Sequence, residues 1–146
     1  MEEAWEYSVV TRFLSYIGFS ALIAGLSMAG NSVSAEEIPV PSGQPVTFLD
    51  VIWEEEGEVN TYRFRYIAPE IARDGGSIGF EQTEQDLKHL CETSALPALI
   101  EQGRAVDKIV ISISDRVVEF GRPDPEATQF FEVYSPDDTT CIWEGF

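Results

Sequence analysis

The sequence predicts an α+β domain with a mainly antiparallel sheet, helices packed on one face and one disulfide. Two neighbouring segments near residue 50 alternate apolar and polar residues, as strands of a hairpin do. Apolar residues then recur at helical spacing in the middle of the chain. The last third returns to alternation, so the predicted order is β-β-α-α-β-β-β-β.

The first hairpin is predicted from residues 46–54 and 59–67, with Gly57 in the turn. Strict alternation along the first strand would separate Thr47, Leu49, Val51 and Trp53 from Val46, Phe48, Asp50 and Ile52. On the second strand it would place Tyr62, Phe64 and Tyr66 on one face and Thr61, Arg63 and Arg65 on the other.

The middle of the chain predicts helices. A short helical turn is expected at 69–73, followed by a loop at the adjacent glycines 75 and 76. Thr83 and Asp86 have capping-box spacing, and a helix over 84–92 would place Cys91 on the core side. A second short helix is expected over 97–102, with Pro97 in its first turn and Gly103 after its end.

The last third predicts four strands, which complete the sheet. Ile109, Ile111 and Ile113 alternate with smaller or polar residues, and a turn follows at 114–116. Further strands are expected at 117–121, 128–134 and 141–146, separated by a Pro- and Gly-rich loop and by a turn at 135–140.

Residues 1–35 have the features of a cleaved export signal. An apolar run over 13–30 follows Arg12, and small residues at Val33 and Ala35 offer a cleavage site. The alternative is an uncleaved anchor, because this run of 18 residues is just long enough to span a bilayer. Residues 36–45, rich in Pro and Gly, are expected to be a linker, and 46–146 a single domain. The expected location is the periplasm, or the periplasmic face of the inner membrane if the anchor is retained.

Charge restricts the partners. The chain has 26 acidic and nine basic residues, and three of the acids and one arginine lie in residues 1–35, which leaves a formal net charge of −15 afterwards. Nucleic acid and anionic membrane surfaces are therefore poor partners, whereas a basic periplasmic protein or a cation is favoured. The alternative is that the acidic residues serve solubility alone.

Two cysteines, Cys91 and Cys141, follow the export segment. In an oxidising compartment they are expected to pair, which would tie the helix to the last strand. Neither a CxxC motif nor a zinc ligand set is present, and no cofactor motif is found.

Candidate site residues are few. His89 is the one histidine; with nearby carboxylates, or with Asp115 and a serine of the strand before it, it could serve hydrolysis, but an exposed surface role is favoured. The acidic run Glu54, Glu55, Glu56 and Glu58 could contact a partner or cation, or could be a solvated hairpin tip. Arg63 and Arg65 could form a polar site, although cross-strand pairing with Asp50 or Glu132 is favoured.

Several stretches of the chain carry a resemblance to a known family, among them APEIARDGG at 68–76, ISISDR at 111–116 and CIWE at 141–144. In these the chain resembles an alphaproteobacterial family of small exported proteins with a domain of unknown function. Some members bear an acetolactate synthase label. That enzyme needs a large thiamine-diphosphate-binding chain, and the 111 residues after the export segment have neither the motif nor the length.

The sequence thus predicts a non-enzymatic, acidic periplasmic domain that binds a protein or acts as an accessory subunit. Two alternatives stay open. One is a small periplasmic hydrolase or ligand-binding protein that uses His89 and nearby carboxylates. The other is an accessory subunit anchored in the membrane by residues 13–30.

Overall fold

The computed structural model describes residues 35–145. One sheet of five strands has the order β1-β2-β3-β4-β5. The strands are β1 (Thr47–Glu56), β2 (Val59–Ile67), β3 (Lys108–Ser114), β4 (Gln129–Asp137) and β5 (Thr140–Trp143). Neighbouring strands are antiparallel except β2 and β3, which are parallel. The predicted α+β class with a mostly antiparallel sheet is confirmed.

A single helix of 22 residues connects the two parallel strands. It consists of α1 (Phe80–Leu90), one π-helical turn (Cys91–Ala95) and α2 (Leu96–Glu101), and a 3-10 turn (Pro69–Ile71) precedes it. The prediction of two separate helices was therefore wrong. In the π turn the N–H of Leu96 bonds to the carbonyl of Cys91, so the helix widens just before Pro97, which has no N–H to donate.

The helix also begins earlier than predicted, at Phe80. The Gly79 N–H donates to Gln82 Oε1 at 3.1 Å, the returning bond of a capping box. Thr83 and Asp86, expected at the cap, are instead fully buried on the inner side of α1. Both side chains are hydrogen-bonded there: Thr83 Oγ1 donates to the carbonyl of Gly79 at 2.8 Å, and Asp86 accepts from the segment before β1.

The core lies between this helix and the sheet face that it covers, here called the front face. β2 places Tyr62, Phe64 and Tyr66 on the front face, as predicted, and they are buried. The central strand β3 is buried on both faces, and on the back face Gln129 Nε2 donates to Ser112 Oγ at 2.9 Å. The front core is completed by Leu87, Leu90, Leu96, Leu99, Ile109, Ile111 and Ile113.

On β1 the predicted faces were wrong because the strand has a bulge. The register pairs Phe48 with Tyr66 but Val51 with Phe64, and it shifts between Phe48 and Asp50. One extra residue in a strand reverses the alternation beyond it. Phe48 therefore shares the front face with Val51 and Trp53.

Residues 117–121, predicted as a strand, are not one. Arg65 Nη1 donates to the carbonyl of Val118 at 2.7 Å, and the guanidinium of Arg63 lies 5.4 Å from the centre of the Phe120 ring. These contacts hold the segment against the back face of the sheet. β4 continues to Asp137, beyond its predicted end, and Asp138 takes a left-handed conformation (φ 56°) in the β4–β5 turn.

The predicted Cys91–Cys141 disulfide is present and joins the π turn to β5. About one and a half turns earlier in the helix, Asp86 accepts hydrogen bonds from the Ser42 N–H (2.9 Å) and from Gln44 Nε2 (2.7 Å). Residues 36–45, expected to be a linker, thus pack on the domain, and Ile38 donates to the carbonyl of Val46.

The export signal and the alternative anchor at 13–30 lie outside the described residues. None of the helices between residues 35 and 145 combines the length and the hydropathy of a membrane span.

We expect the Cys91→Ala/Cys141→Ala variant to be about 4 kcal/mol less stable than the oxidised protein, because the bond closes a loop with a sequence separation of 50. Urea unfolding of both proteins measures the difference, and the reduced wild type is the control. A loss below about 1 kcal/mol would show that the helix stays on the sheet without the bond.

Candidate functional site

A groove of about 490 Å³ runs along the front face between β1 and the helix. We call it the β1 groove. Its lining includes Phe48, Val51, Trp53, Phe64, Ser94 and Leu99. An adjacent cavity shares Phe48 and Ser94 and extends to Glu36 and Glu37. The groove therefore follows most of the length of β1.

The wall that β1 contributes is apolar and open to solvent. Phe48, Val51 and Trp53 are 46%, 41% and 55% exposed, although their cross-strand partners on β2 are buried. β1 is an edge strand. Within residues 35–145, its outer edge is bridged only at Thr47, by Glu37. An apolar edge strand with unpaired backbone groups is a common site of strand addition.

Three polar side chains, Ser94, Gln102 and Arg104, line the groove as well. Tyr66 Oη donates to Ser94 Oγ at 3.0 Å, and burial raises the pKa of this tyrosine to about 12. Arg104 lies at the end of α2 and forms no ion pair within the described residues. A cation is favourable at a helix C-terminus, so the position of Arg104 is explained by the helix and does not require a bound ligand.

The acidic run lies at the hairpin tip of β1, where Gly57 takes the positive φ of the turn (65°). Glu54 pairs with Arg63 across the strands at 3.3 Å. Glu55, Glu56 and Glu58 are exposed and have no ion pair within residues 35–145. The fold therefore uses one carboxylate of the run and leaves three in solvent.

Arg63 and Arg65 lie on the back face of β2. Arg65 Nε donates to Asp50 Oδ1 at 2.6 Å, which is the cross-strand pairing expected from the sequence. Asp50 raises the pKa of the Arg65 guanidinium by hydrogen bonding and by its charge, against the lowering effect of burial. Glu132, the other expected partner, lies on the front face instead, opposite Ile111.

His89 and Asp115 occupy separate places. His89 is half-buried on α1, and no described residue donates to, accepts from or pairs with its imidazole. Asp115 is buried after β3, where a hydrogen bond from Arg116 lowers the pKa of its carboxyl. The Thr128 N–H also donates to it, at 3.0 Å. In the described residues no three His, Cys, Asp or Glu side chains are placed to hold a metal ion.

A second cavity, of about 270 Å³, lies on the front face at the opposite edge of the sheet. We call it the β5 cavity, and it is lined by Glu84, Gln85, Lys88, Glu132, Tyr134 and Trp143. Glu132 is 95% buried, at 5% exposure, and Tyr134 Oη donates to its Oε2 at 2.6 Å. No amino or guanidinium nitrogen of the described residues lies within 4 Å of its carboxylate.

The environment of Glu132 shifts its titration. Burial raises the pKa of its carboxyl, the hydrogen bond from Tyr134 opposes that shift, and the negative charge of Glu84 adds to it. The pKa of Tyr134 is also raised, first by burial and then by its bond to Glu132. Sequence reasoning missed this pair, although Phe130, Glu132 and Tyr134 alternate on a strand and so mark a polar residue on a buried face.

The chain belongs to the family described as "Family of unknown function (DUF6497)", whose model matches residues 22–146. No curated protein and no solved structure matches it. Membership agrees with the resemblance drawn from the sequence to a domain of unknown function.

The raised pKa of Glu132 predicts a pH dependence of stability. The folded state binds this proton more tightly than the unfolded chain, whose glutamate has a pKa of about 4.3. The stabilisation is therefore complete below about pH 4.3 and is lost as pH rises through the raised folded value. Urea unfolding between pH 4 and pH 8 measures it.

In Glu132→Gln this contribution to the pH dependence should disappear, whereas Glu101→Gln, an exposed helix residue, should titrate as the wild type does. Parallel profiles for the wild type and Glu132→Gln would contradict the assignment.

Proposed function

We propose that this domain is a non-catalytic periplasmic module that binds an extended, basic segment of another protein along β1. The observation that carries the proposal is the uncovered apolar front of an edge strand, where Trp53 is 55% exposed. Export is supported by the apolar run and small residues of the N-terminal 35 residues and by the disulfide.

The side chains on the two faces of β1 indicate what kind of strand could pair with its outer edge. Its front presents Phe48, Val51 and Trp53 and ends at Glu55, and its back presents Asp50, Glu54 and Glu56 around Ile52. A strand added beside β1 would meet apolar side chains on one face and carboxylates on the other. It should therefore alternate apolar with basic residues, because opposite charges across neighbouring strands are stabilising.

The chain already contains a strand with that pattern on the inner side of β1. On β2, Tyr62, Phe64 and Tyr66 alternate with Arg63 and Arg65, and both arginines pair with carboxylates of β1. β2 is thus an internal example of the kind of strand that β1 accepts. We infer that the partner segment resembles β2 in its alternation.

Charge also argues against a second copy of this chain as the occupant. Two domains that each carry a formal net charge of −15 would repel on approach, and edge-to-edge pairing of β1 would bring both acidic runs into one interface. A basic partner is attracted by the same charge. Dimerisation through β1 in place of peptide binding would overturn the proposal.

Hydrolysis through His89 lacks comparable support. A histidine base needs a hydrogen-bonded nucleophile and an orienting group. No described residue supplies either to the imidazole of His89. The binding function is therefore the one that the site supports best.

The direct test uses a capped peptide with the sequence of residues 60–67, NTYRFRYI, as the probe. We expect saturable binding by calorimetry that weakens as salt rises, because exposed charges are screened. A peptide with both arginines replaced by glutamate should not bind. Equal binding of the two peptides would refute the charge pattern.

Trp53→Ala should weaken binding of this peptide at least tenfold, a loss of about 1.4 kcal/mol, because it removes the largest apolar wall of the groove. Trp143→Ala is the matched control, since Trp143 is also 55% exposed but lies on the opposite edge strand. Unchanged affinity in Trp53→Ala, or equal losses in both variants, would place binding elsewhere.

A further inference from the structure

The β5 cavity has a feature that peptide binding at β1 does not use. Glu132 is 95% buried, and Tyr134 donates to its Oε2 alone. Its other oxygen, Oε1, accepts no hydrogen bond from the residues that the structure describes. Among the described residues, Gln44 Oε1 is the one fully buried side-chain atom without a hydrogen-bond partner, so Glu132 Oε1 remains accessible to solvent. A carboxylate that is largely withdrawn from water is stabilised by a cation or by several hydrogen bonds, and within residues 35–145 Glu132 has one hydrogen bond and no cation.

The cavity has space and an aromatic wall beside that carboxylate. Its volume of about 270 Å³ exceeds that of a bound water or metal ion. Trp143 lies on the front face of β5, directly opposite Tyr134 in the register, and it lines the cavity. An indole face attracts ammonium and guanidinium groups, and the attraction increases when the cation is desolvated.

We propose that the β5 cavity binds a primary alkylammonium group, with Glu132 as its counter-ion and Trp143 as its aromatic wall. Glu84, on α1, also lines the cavity and adds a second negative charge. The β5 cavity is independent of the β1 groove and of the proposed strand binding along β1, because it lies at the other edge of the sheet.

Lys88 is the lysine or arginine that the described residues contribute to the lining of this cavity. It lines the cavity, but it pairs with Glu92 at 3.9 Å along the helix and its side chain is 58% exposed. Its ammonium therefore lies at the mouth, towards Glu92. Replacement of Lys88 by Gln should raise affinity for an external ammonium, because it removes a like charge.

The test uses n-butylammonium, with neutral n-butanol of similar size as the control. Binding is followed by the indole N–H resonance of Trp143, and that of Trp53 serves as the internal reference. We expect saturable, millimolar binding of the ammonium that shifts the Trp143 resonance alone. Equal binding of n-butanol would show that the cavity recognises the alkyl chain and not the charge, and would overturn the proposal.

Glu132→Gln keeps the shape of the side chain and should weaken n-butylammonium binding at least tenfold. Glu81→Gln, on the same helix but outside the cavity lining, should bind as the wild type does. Trp53→Ala should also retain ammonium binding, and Trp143→Ala should lose it. Unchanged affinity in Glu132→Gln, with the fold verified by its amide spectrum, would overturn the assignment.

Acidification should weaken the complex, since the ligand pairs with the ionised carboxylate. The ionisable groups that face it are Glu84 and Lys88 from α1, Glu92 from the π turn and Tyr134 from β4. Affinity should therefore fall as pH drops through the raised pKa of Glu132, and a pH-independent affinity would contradict the pairing.

A second arm identifies the source of the ammonium. Nα-acetyl-lysine methylamide presents the same group as a protein side chain does, and n-butylammonium presents it as a free amine. Stronger binding of the lysine derivative indicates the side chain of a partner protein, and stronger binding of the free amine indicates a small metabolite-like amine. Failure of both probes would overturn the proposal without affecting the strand-docking function.

Discussion

One geometric constraint shapes both candidate sites: a single helix packs on a sheet that is wider than the helix. Five strands at the usual spacing extend about 19 Å from β1 to β5, whereas a helix with its side chains is about 10–12 Å in diameter. The helix covers β2 and β3, whose front-face side chains are buried. Large aromatic side chains at both edges, Trp53 and Trp143, stay half exposed. The β1 groove and the β5 cavity are the two spaces that this mismatch leaves.

The position of the helix over the sheet is fixed at two points. The disulfide joins its middle, at the π turn, to β5, so the helix cannot move away from that edge. Asp86 binds the loop at Ser42 and Gln44, and the chain then enters β1 directly. The helix is thus tied covalently to the β5 side and by a buried carboxylate to the chain that leads into β1. Open spaces at the two edges are therefore permanent features of the fold rather than products of a loosely held helix.

The sequence predicted those parts of the fold that repeat regularly. Alternation on β2 predicted the hairpin, and the isoleucines of β3 predicted the core. The disulfide was predicted because the chain has two cysteines after an expected export signal. The predictions that were wrong failed for local reasons that a pattern of apolar and polar residues does not reveal. One extra residue at Leu49 reverses the faces of β1, and a π turn lets the helix continue through Pro97. Residues 117–121 have a strand-like pattern, but contacts with Arg65 hold them as a loop.

The site was harder to predict than the fold, for a related reason. A strand pattern shows which face a residue occupies, but it does not show whether the helix reaches far enough to cover it. The alternation on β1 therefore did not show that Phe48, Val51 and Trp53 are exposed, and Glu132 was expected to pair with an arginine of β2 rather than to be buried against the helix. Whether these residues are exposed or buried depends on how much of the sheet the helix covers. That coverage is a property of the tertiary structure and is not visible in the pattern of a single strand.

Some acidic residues of β1 stabilise the fold, whereas others at the hairpin tip have no role in it. On the back face, Arg63 and Arg65 each pair with a carboxylate of β1, so these acidic residues stabilise the hairpin. The hairpin turn itself requires Gly57 for its positive φ, but it does not require Glu55, Glu56 or Glu58. Three neighbouring carboxylates without cations repel one another and contribute nothing to the hairpin. Solubility alone would be served by acids at any exposed position, whereas these three lie together at the tip of the β1–β2 hairpin, beside the apolar front of the edge strand β1. Their location therefore favours recognition of a basic strand over a general effect of charge.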